Sequence, residues 1–143
     1  MIVRYCAGGV VFYANKVLLV KNDRGEWTLP KGKIHQDELK HSSAVSRVKD
    51  ETGVEASILE TAGNTMYQFF SRSRQQRVCN AIVWYVMEAE NPDYIIREDF
   101  LEGGFYKIKD AMDMLSHNKE KALVDVSYKK YKEEKKNNAE IAK

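Results

Sequence analysis

Acidic residues and glycines recur through residues 30–54, PKGKIHQDELKHSSAVSRVKDETGV, at spacings that suit metal and phosphate chemistry. Residues three and four apart share one face of a helix, so Arg47, Asp50 and Glu51 project together. The two carboxylates suit a hard cation such as Mg²⁺, which prefers oxygen ligands and bridges protein carboxylates to substrate phosphates. Arg47 places a positive charge beside them, and this charge opposes cation binding.

The segment Pro30–Lys33 comes just before this helical pattern and has the composition of a phosphate-binding loop. Gly32 permits close approach of the backbone to a ligand, and Lys31 and Lys33 supply positive charge. These features predict that both lysines contact substrate phosphates. Lysines are also common in exposed loops that bind nothing.

The spacing of these residues resembles the signature of the Nudix hydrolase family. That signature reads Gly, five residues, Glu, seven residues, Arg-Glu, an aliphatic residue, one residue, Glu-Glu, one residue, Gly and an aliphatic residue. The register fits without gaps at Gly32, Glu38, Val48, Asp50, Glu51, Gly53 and Val54. Ser46 stands where the family has Arg, and Arg47 where it has Glu. The segments AGGVV at 7–11 and WTLPKG at 27–32 extend the similarity, which covers roughly residues 3–116.

The resemblance implies an α+β fold, the Nudix-type α/β/α sandwich with a mixed sheet. It also implies hydrolysis of a diphosphate linkage in a nucleoside diphosphate derivative, assisted by Mg²⁺ or Mn²⁺, with dinucleoside polyphosphates among the candidate substrates. The implied catalytic residues are Glu51, Asp50 and Glu38. The implied metal ligands are Gly32, through its carbonyl, Asp50, Glu51 and, from outside the motif, Glu102. Glu98 and Asp99 are alternatives to Glu102, and the general base stays unassigned.

Arg47 has two interpretations. As an intrahelical ion pair with Asp50 or Glu51 it would stabilise the helix by about 0.3–0.5 kcal/mol at an exposed site. As a substrate-binding residue its planar donors would grip a phosphate. Either way it weakens the cation site, and it supports an alternative function, a catalytically impaired Nudix-fold module that binds a nucleotide or RNA.

Three other features have open interpretations. Glu38 either assists the metal or stabilises the start of the helix, where a negative charge is favourable. The segment 71–77, SRSRQQR, either is a solvated hairpin loop or grips a polyphosphate or RNA end, chiefly through Arg74. Tyr67, Phe69 and Phe70 either stack on a base or belong to a half-buried strand.

The elements that position these residues follow from hydrophobic periodicity. Strands are predicted at 6–13, 17–20, 54–59, 78–88 and 105–108, and helices at 40–52, 110–115 and 119 to about 132. The strand at 78–88 should be central because it is rich in β-branched and aromatic residues. Ala44 and Val48 should be buried on the first helix, and Gly53 should close it in the left-handed conformation.

The 143 residues and 43% hydrophobic content predict one domain over 1–136 followed by a charged, flexible tail over 137–143. A net charge of +2 does not favour nucleic acid as the partner, so a small nucleotide or polyphosphate is expected. Cys6 and Cys79 lie in apolar runs, which favours reduced thiols and a cytoplasmic location. We expect no membrane segment, and either a monomer or a homodimer.

Overall fold

The computed structural model describes the backbone of residues 1–142 and the side chains of residues 1–139. Seven strands and three helices form in chain order. The strands are β1 (Ile2–Tyr13), β2 (Lys16–Lys21), β3 (Trp27–Thr28), β4 (Lys31–Lys33), β5 (Ala56–Ser71), β6 (Gln76–Ala89) and β7 (Glu102–Lys107). The helices are α1 (Lys40–Thr52), α2 (Ile108–Met114) and α3 (Asn118–Ala142).

The strands form one mixed sheet, and β6 lies inside it as predicted. The main strand order is β3-β2-β1-β6-β5, while β4 pairs with β1 and β7 pairs with β2. The β1–β6 pair is parallel, with Ile2 opposite Val78, and the other pairs are antiparallel. Helices cover both faces of the sheet, which confirms the α+β sandwich with a mixed sheet.

Alternating residues of β1 send side chains into two separate cores. Ala7 and Val11 pack on the side of α1, together with the fully buried Ala44 and Val48. Phe12 packs on the opposite side with α2 and α3. The period-two alternation of a strand thus places α1 on one face and the two later helices on the other.

Helix α1 has the predicted bounds, whereas several other boundaries differ. Strand β5 begins at Ala56 and continues as one strand to Ser71, and β7 begins at Glu102 rather than at Phe105. The prediction that the last helix ends near Lys132 was wrong, because α3 continues to Ala142. Lys135 pairs with Glu88 of β6 at 2.9 Å, so the sheet supports the helix beyond the predicted end.

The division into a domain at 1–136 and a flexible tail at 137–143 stays a prediction, and the last residue of that tail, Lys143, lies outside the described residues. In the described chain, no helix combines the length and the apolar character that crossing a bilayer requires.

Candidate functional site

The end of α1 is fixed by Gly53, as the sequence predicts. Gly53 has φ 69°, in the left-handed region, and its N–H donates to the Lys49 carbonyl at 2.8 Å. A β-carbon at this position would lie only 2.9 Å from the backbone nitrogen of Ile95. Glycine therefore both closes the helix and admits the segment that follows β6.

Glu51 is a buried carboxylate at this end of α1. Its Oε1 accepts the Lys31 N–H at 3.1 Å, its Oε2 lies 3.7 Å from Arg97 Nη2, and its side chain is 12% exposed. Burial raises the pKa of Glu51 to about 7, even though Lys31 and Arg97 act in the opposite direction. The carboxylate is therefore short of positive charge, and a cation beside it would be stabilising.

Arg97 belongs to this site but is shared with another acid. Its N–H donates to the Glu51 carbonyl oxygen at 2.8 Å, which fixes the segment against the helix end. Its guanidinium makes two hydrogen bonds to Asp99, at 2.6 and 3.0 Å, and this pairing lowers the pKa of Asp99. Much of the charge of Arg97 is thus directed at Asp99 rather than at Glu51.

Asp50 makes the intrahelical ion pair predicted for Arg47. Arg47 Nε lies 3.0 Å from Asp50 Oδ2, although the geometry is that of a charge contact and not of a hydrogen bond. The two partners differ in exposure, because the Arg47 side chain is 11% exposed and that of Asp50 is 52% exposed. Asp50 therefore keeps an open side, while Arg47 is held within the protein.

The guanidinium of Arg47 also links α1 to the preceding loop. Its Nη1 donates to the Lys33 carbonyl at 3.1 Å and to Glu38 Oε1 at 3.2 Å, and it lies 2.8 Å from His35 Nε2. Contacts with the loop residues Lys33, His35 and Glu38, together with the pair to Asp50, thus hold the Arg47 side chain in place.

Glu38 is occupied by contacts within the same loop. Its Oε1 accepts hydrogen bonds from the His35 N–H at 2.8 Å and from Ser43 Oγ at 2.9 Å, in addition to Arg47. The hydrogen bond from the backbone of His35 is the main reason that the pKa of Glu38 is lowered. These contacts support the interpretation that Glu38 stabilises the loop and the start of the helix.

A cleft of about 370 Å³ opens on the other side of Lys31. This volume is at the lower end of the range for small-molecule sites, about 300–1,000 Å³. The cleft is lined by Asn22, Arg24, Glu26, Thr28, Lys31, Thr65, Met66, Tyr67, Ile82, Trp84, Ser116, His117, Asn118, Lys119 and Glu120. Lys31 is therefore common to the cleft and to the surroundings of Glu51.

The predicted site residues are only partly brought together. The backbone N–H of Lys31 donates a hydrogen bond to Glu51, and Arg47 contacts both Glu38 and Asp50. Three other predicted residues have different surroundings. Lys33 is exposed at the end of β4, and Arg74 lies in the turn between β5 and β6. Glu102 pairs with Lys21 at 3.3 Å. Among the aromatic residues, Tyr67 lines the cleft, while Phe70 is exposed and Phe69 lies under the guanidinium of Arg4.

The donors present fit a two-carboxylate metal site better than a three-carboxylate site. Among the residues that the structure describes, no three His, Cys, Asp or Glu side chains converge. Asp50 is half exposed, and burial raises the pKa of Glu51, so a cation beside either carboxylate would be stabilising and both are suitable oxygen ligands. Arg47 takes the position of the third acid, and Glu38 is already bonded within its loop.

Sequence reasoning missed several residues of the site, chiefly Arg97, Trp84, His117 and Glu120. Each lies outside the motif and reaches the site through the fold. Glu120 is an acidic residue in the first turn of α3, where a negative charge is favourable in any helix. Its position in the sequence therefore does not indicate a role in the site. Arg97 follows an apolar pair in the segment YIIRED, which gives no indication that its N–H meets α1.

Comparison with known proteins agrees with this fold. A Nudix hydrolase from Nitrosomonas europaea superposes with a TM-score of 0.68 at 18% identity, covering 85% of this chain and 67% of that one. A C. elegans Ap4A hydrolase gives 0.71 at 16% identity, covering 90% and 96%. The E. coli dihydroneopterin triphosphate pyrophosphohydrolase gives 0.65 at 13% identity, covering 87% and 96%.

At these low identities the solved structures show the fold alone. The family model for the NUDIX domain, however, matches residues 4–126, which is most of the chain. The match contains most of β1, residues 30–33, all of α1 and the cleft. The chain therefore belongs to the Nudix family.

Proposed function

We propose that this protein hydrolyses a diphosphate linkage in a nucleoside diphosphate derivative. In this proposal the nucleoside occupies the cleft, and the diphosphate crosses Lys31 toward Glu51. The proposal rests on Lys31, which belongs to both places: it lines the cleft, and its backbone N–H donates to Glu51 at 3.1 Å. A ligand seated in the cleft thus has its phosphates beside a buried carboxylate.

The proposed cofactor is Mg²⁺ or Mn²⁺, held by Asp50, Glu51 and the carbonyl of Gly32. When bound, such an ion polarises a phosphoryl oxygen and lowers the pKa of an attacking water. Lys31 and Lys33 supply positive charge to the substrate phosphates, while Glu38 and Arg47 hold residues 33–38 against α1. Glu102 and Arg74 would need a movement of their surroundings to take part.

The cleft volume supports a ligand with one enclosed nucleoside. At about 370 Å³ it suits one nucleoside better than two, so the second half of a dinucleoside polyphosphate would extend into solvent. The similar C. elegans structure is titled an Ap4A hydrolase, which supports dinucleoside polyphosphates as the first substrates to test. A cytoplasmic location and a monomeric or homodimeric state stay predictions.

Arg47 supports a second candidate, a nucleotide-binding module with little or no turnover. It replaces a carboxylate by a cation, and its contacts with Glu38 and Asp50 neutralise acids that the family uses around its metals. In that case the cleft would still bind a nucleotide. RNA is a less favoured ligand, because Arg74 lies at a hairpin turn outside the cleft lining.

The experiment is incubation with Mg²⁺ or Mn²⁺ and a panel of dinucleoside polyphosphates, ADP-ribose and nucleoside triphosphates, with products resolved by chromatography. We expect turnover that Glu51→Ala and Asp50→Ala each reduce by at least about a hundredfold, and that Glu55→Ala, an exposed acid just past α1, leaves unchanged. Binding without any turnover would replace the enzyme by the module. Turnover that survives both acid substitutions would exclude the proposed site.

A further inference from the structure

Glu120 is a buried acid within the cleft that the chemistry proposed above does not use. It lies in the first turn of α3, its side chain lines the cleft, and the residue is 9% exposed. Its Oε1 accepts the Leu29 N–H at 2.6 Å. One oxygen is thus fixed by the backbone, which sets the orientation of the carboxylate.

The second oxygen of Glu120 has no hydrogen-bond donor among the residues that the structure describes, and no cation lies within 4.0 Å of the carboxylate there. Burial raises the pKa of Glu120, although Lys31 and His117 act in the opposite direction from a greater distance. This oxygen keeps some accessible surface in the cleft, so solvent satisfies it in the free protein, and a ligand that displaces the solvent must supply donors in its place.

Aromatic side chains line the same cleft as this carboxylate. Trp84 is almost fully buried, and its Nε1–H donates to Thr65 Oγ1 at 2.9 Å, so its polar edge is already satisfied. Tyr67 and His117 lie at the cleft with ring centroids 6.3 Å apart. Aromatic side chains of this kind stack on planar heterocycles, so the cleft combines stacking surfaces with a carboxylate that accepts hydrogen bonds.

We propose that Glu120 makes the cleft selective for a heterocycle with two adjacent N–H donors, a ring N–H beside an exocyclic amine. Guanine and pterin share this edge. Adenine presents one amine beside the N1 lone pair, and this lone pair would face a carboxylate oxygen. The inference rests on the proposed use of the cleft by the nucleoside, and it adds which nucleosides fit.

Charge-assisted hydrogen bonds contribute about 1.5–3 kcal/mol each, so the loss of one donor should weaken binding about tenfold to a hundredfold. Among nucleotides we therefore expect GMP to bind more tightly than IMP, which lacks the amine, and IMP more tightly than AMP. A 1-methylguanine nucleotide, which lacks the ring N–H, should also bind more weakly than GMP. Neopterin should bind if the shared edge is what Glu120 recognises.

The test is isothermal titration calorimetry of these ligands with the full chain in EDTA, so that neither metal nor turnover contributes. Glu120→Gln provides the decisive variant. If the Gln oxygen keeps the Leu29 N–H, its amide nitrogen becomes a donor in the cleft, which repels the guanine N1–H and suits adenine N1. The ratio of GMP to AMP affinity should fall at least tenfold.

Glu55→Gln is the control for the loss of one carboxylate, because Glu55 is exposed, pairs with Lys49 and lies outside the cleft lining. We expect it to leave the base preference unchanged. Equal affinity of the wild type for GMP and AMP would overturn the proposal, as would equal losses for both ligands in Glu120→Gln. The wild-type ligand series decides the question even if that variant does not fold.

The two proposals fail separately. A guanine preference in EDTA without hydrolysis of any substrate in Mg²⁺ would retain the role of Glu120 and remove the enzyme. Hydrolysis with equal efficiency for guanine and adenine substrates would retain the enzyme and remove the role of Glu120.

Discussion

The side chain of Arg47 lies across the α-carbon of Gly32, so closely that a β-carbon on Gly32 would come within 2.7 Å of Arg47 Cδ and 2.9 Å of its Cγ. The aliphatic part of Arg47 thus packs on Gly32, and its guanidinium donates to the carbonyl of the next residue, Lys33. This packing explains why a cation can be accommodated beside Asp50. Arg47 takes a structural role between the loop and α1, at the cost of positive charge in the site.

This contact predicts the effect of Gly32→Ala. The added methyl group meets the part of Arg47 that the guanidinium contacts hold in place, so we expect a loss of about 1–3 kcal/mol in the free energy of unfolding. Urea denaturation of Gly32→Ala, Arg47→Ala and the double variant measures the coupling. The Gly32→Ala loss should shrink by at least about 0.5 kcal/mol when Arg47 is absent, and strict additivity would show that the clash is not with Arg47.

Arg47→Glu should exchange stability for metal binding. The substitution removes the contacts with Glu38 and Asp50 and adds a like charge, so without metal the free energy of unfolding should fall by about 3 kcal/mol. The new carboxylate also restores a third acid, so Mg²⁺ should bind more tightly than in the wild type and raise the melting temperature more. Calorimetric Mg²⁺ titration and thermal unfolding with and without the ion measure both effects, and turnover should rise with metal affinity.

Lys49→Glu is the matched control for that variant. It changes the charge of α1 by the same amount from an exposed position, where Lys49 pairs with Glu55 at 2.8 Å. A Mg²⁺ titration that is identical for the wild type and Arg47→Glu would contradict the account of Arg47. An equal gain in Lys49→Glu would show that net charge, and not the position of Arg47, controls the ion.

Local features of this fold could be predicted from the sequence. The bounds of α1 follow from a short-range pattern, namely the buried pair Ala44 and Val48 and the glycine that closes the helix. The Arg47–Asp50 pair is likewise local, because residues three apart on a helix always lie close together. The motif register then identified the family from one segment.

Long-range features could not be predicted in this way. Glu120 bonds to Leu29 across 91 positions of the chain, and Arg97 meets Glu51 only because the segment after β6 folds back on α1. The cleft combines residues of several strands with the start of α3, so no single stretch of sequence predicts it. The length of α3 was missed because its charged end resembles a solvated tail, although Lys135 contacts Glu88 of β6.

Gly53→Ala should be more damaging than a change at another left-handed glycine. Gly53 has φ 69° and Gly25 has φ 78°, so both substitutions carry a left-handed strain of about 1–2 kcal/mol. At Gly53 the methyl group also meets Ile95 at 2.9 Å from its backbone nitrogen, whereas at Gly25 the nearest atom lies 4.0 Å away. Urea denaturation should show a larger loss for Gly53→Ala than for Gly25→Ala. Equal losses would mean that the segment at Ile95 moves without cost.

Glu51→Gln should remove a pH dependence of stability. The pKa of Glu51 in the folded protein is about 7, above the ordinary value of 4.5, so between these values the folded state binds more protons than the unfolded state. Its contribution is therefore most favourable below pH 4.5 and is lost as the pH rises through 7. At 1.36 kcal/mol per pKa unit the loss reaches about 3 kcal/mol. Gln cannot ionise, so in EDTA the variant should match the wild type near pH 4 and exceed its free energy of unfolding by up to that amount near pH 8.

Urea denaturation at both pH values, repeated with Mg²⁺, separates the charge of Glu51 from its shape. An ion held by Glu51 compensates the buried charge, so Mg²⁺ should raise the stability of the wild type at pH 8 and have little effect on Glu51→Gln. Both proteins keep a side chain of nearly the same size, so loss of packing cannot produce this difference. A variant that is less stable than the wild type at pH 8 would mean that Lys31 and Arg97 already compensate the charge, and no ion would then be needed beside Glu51.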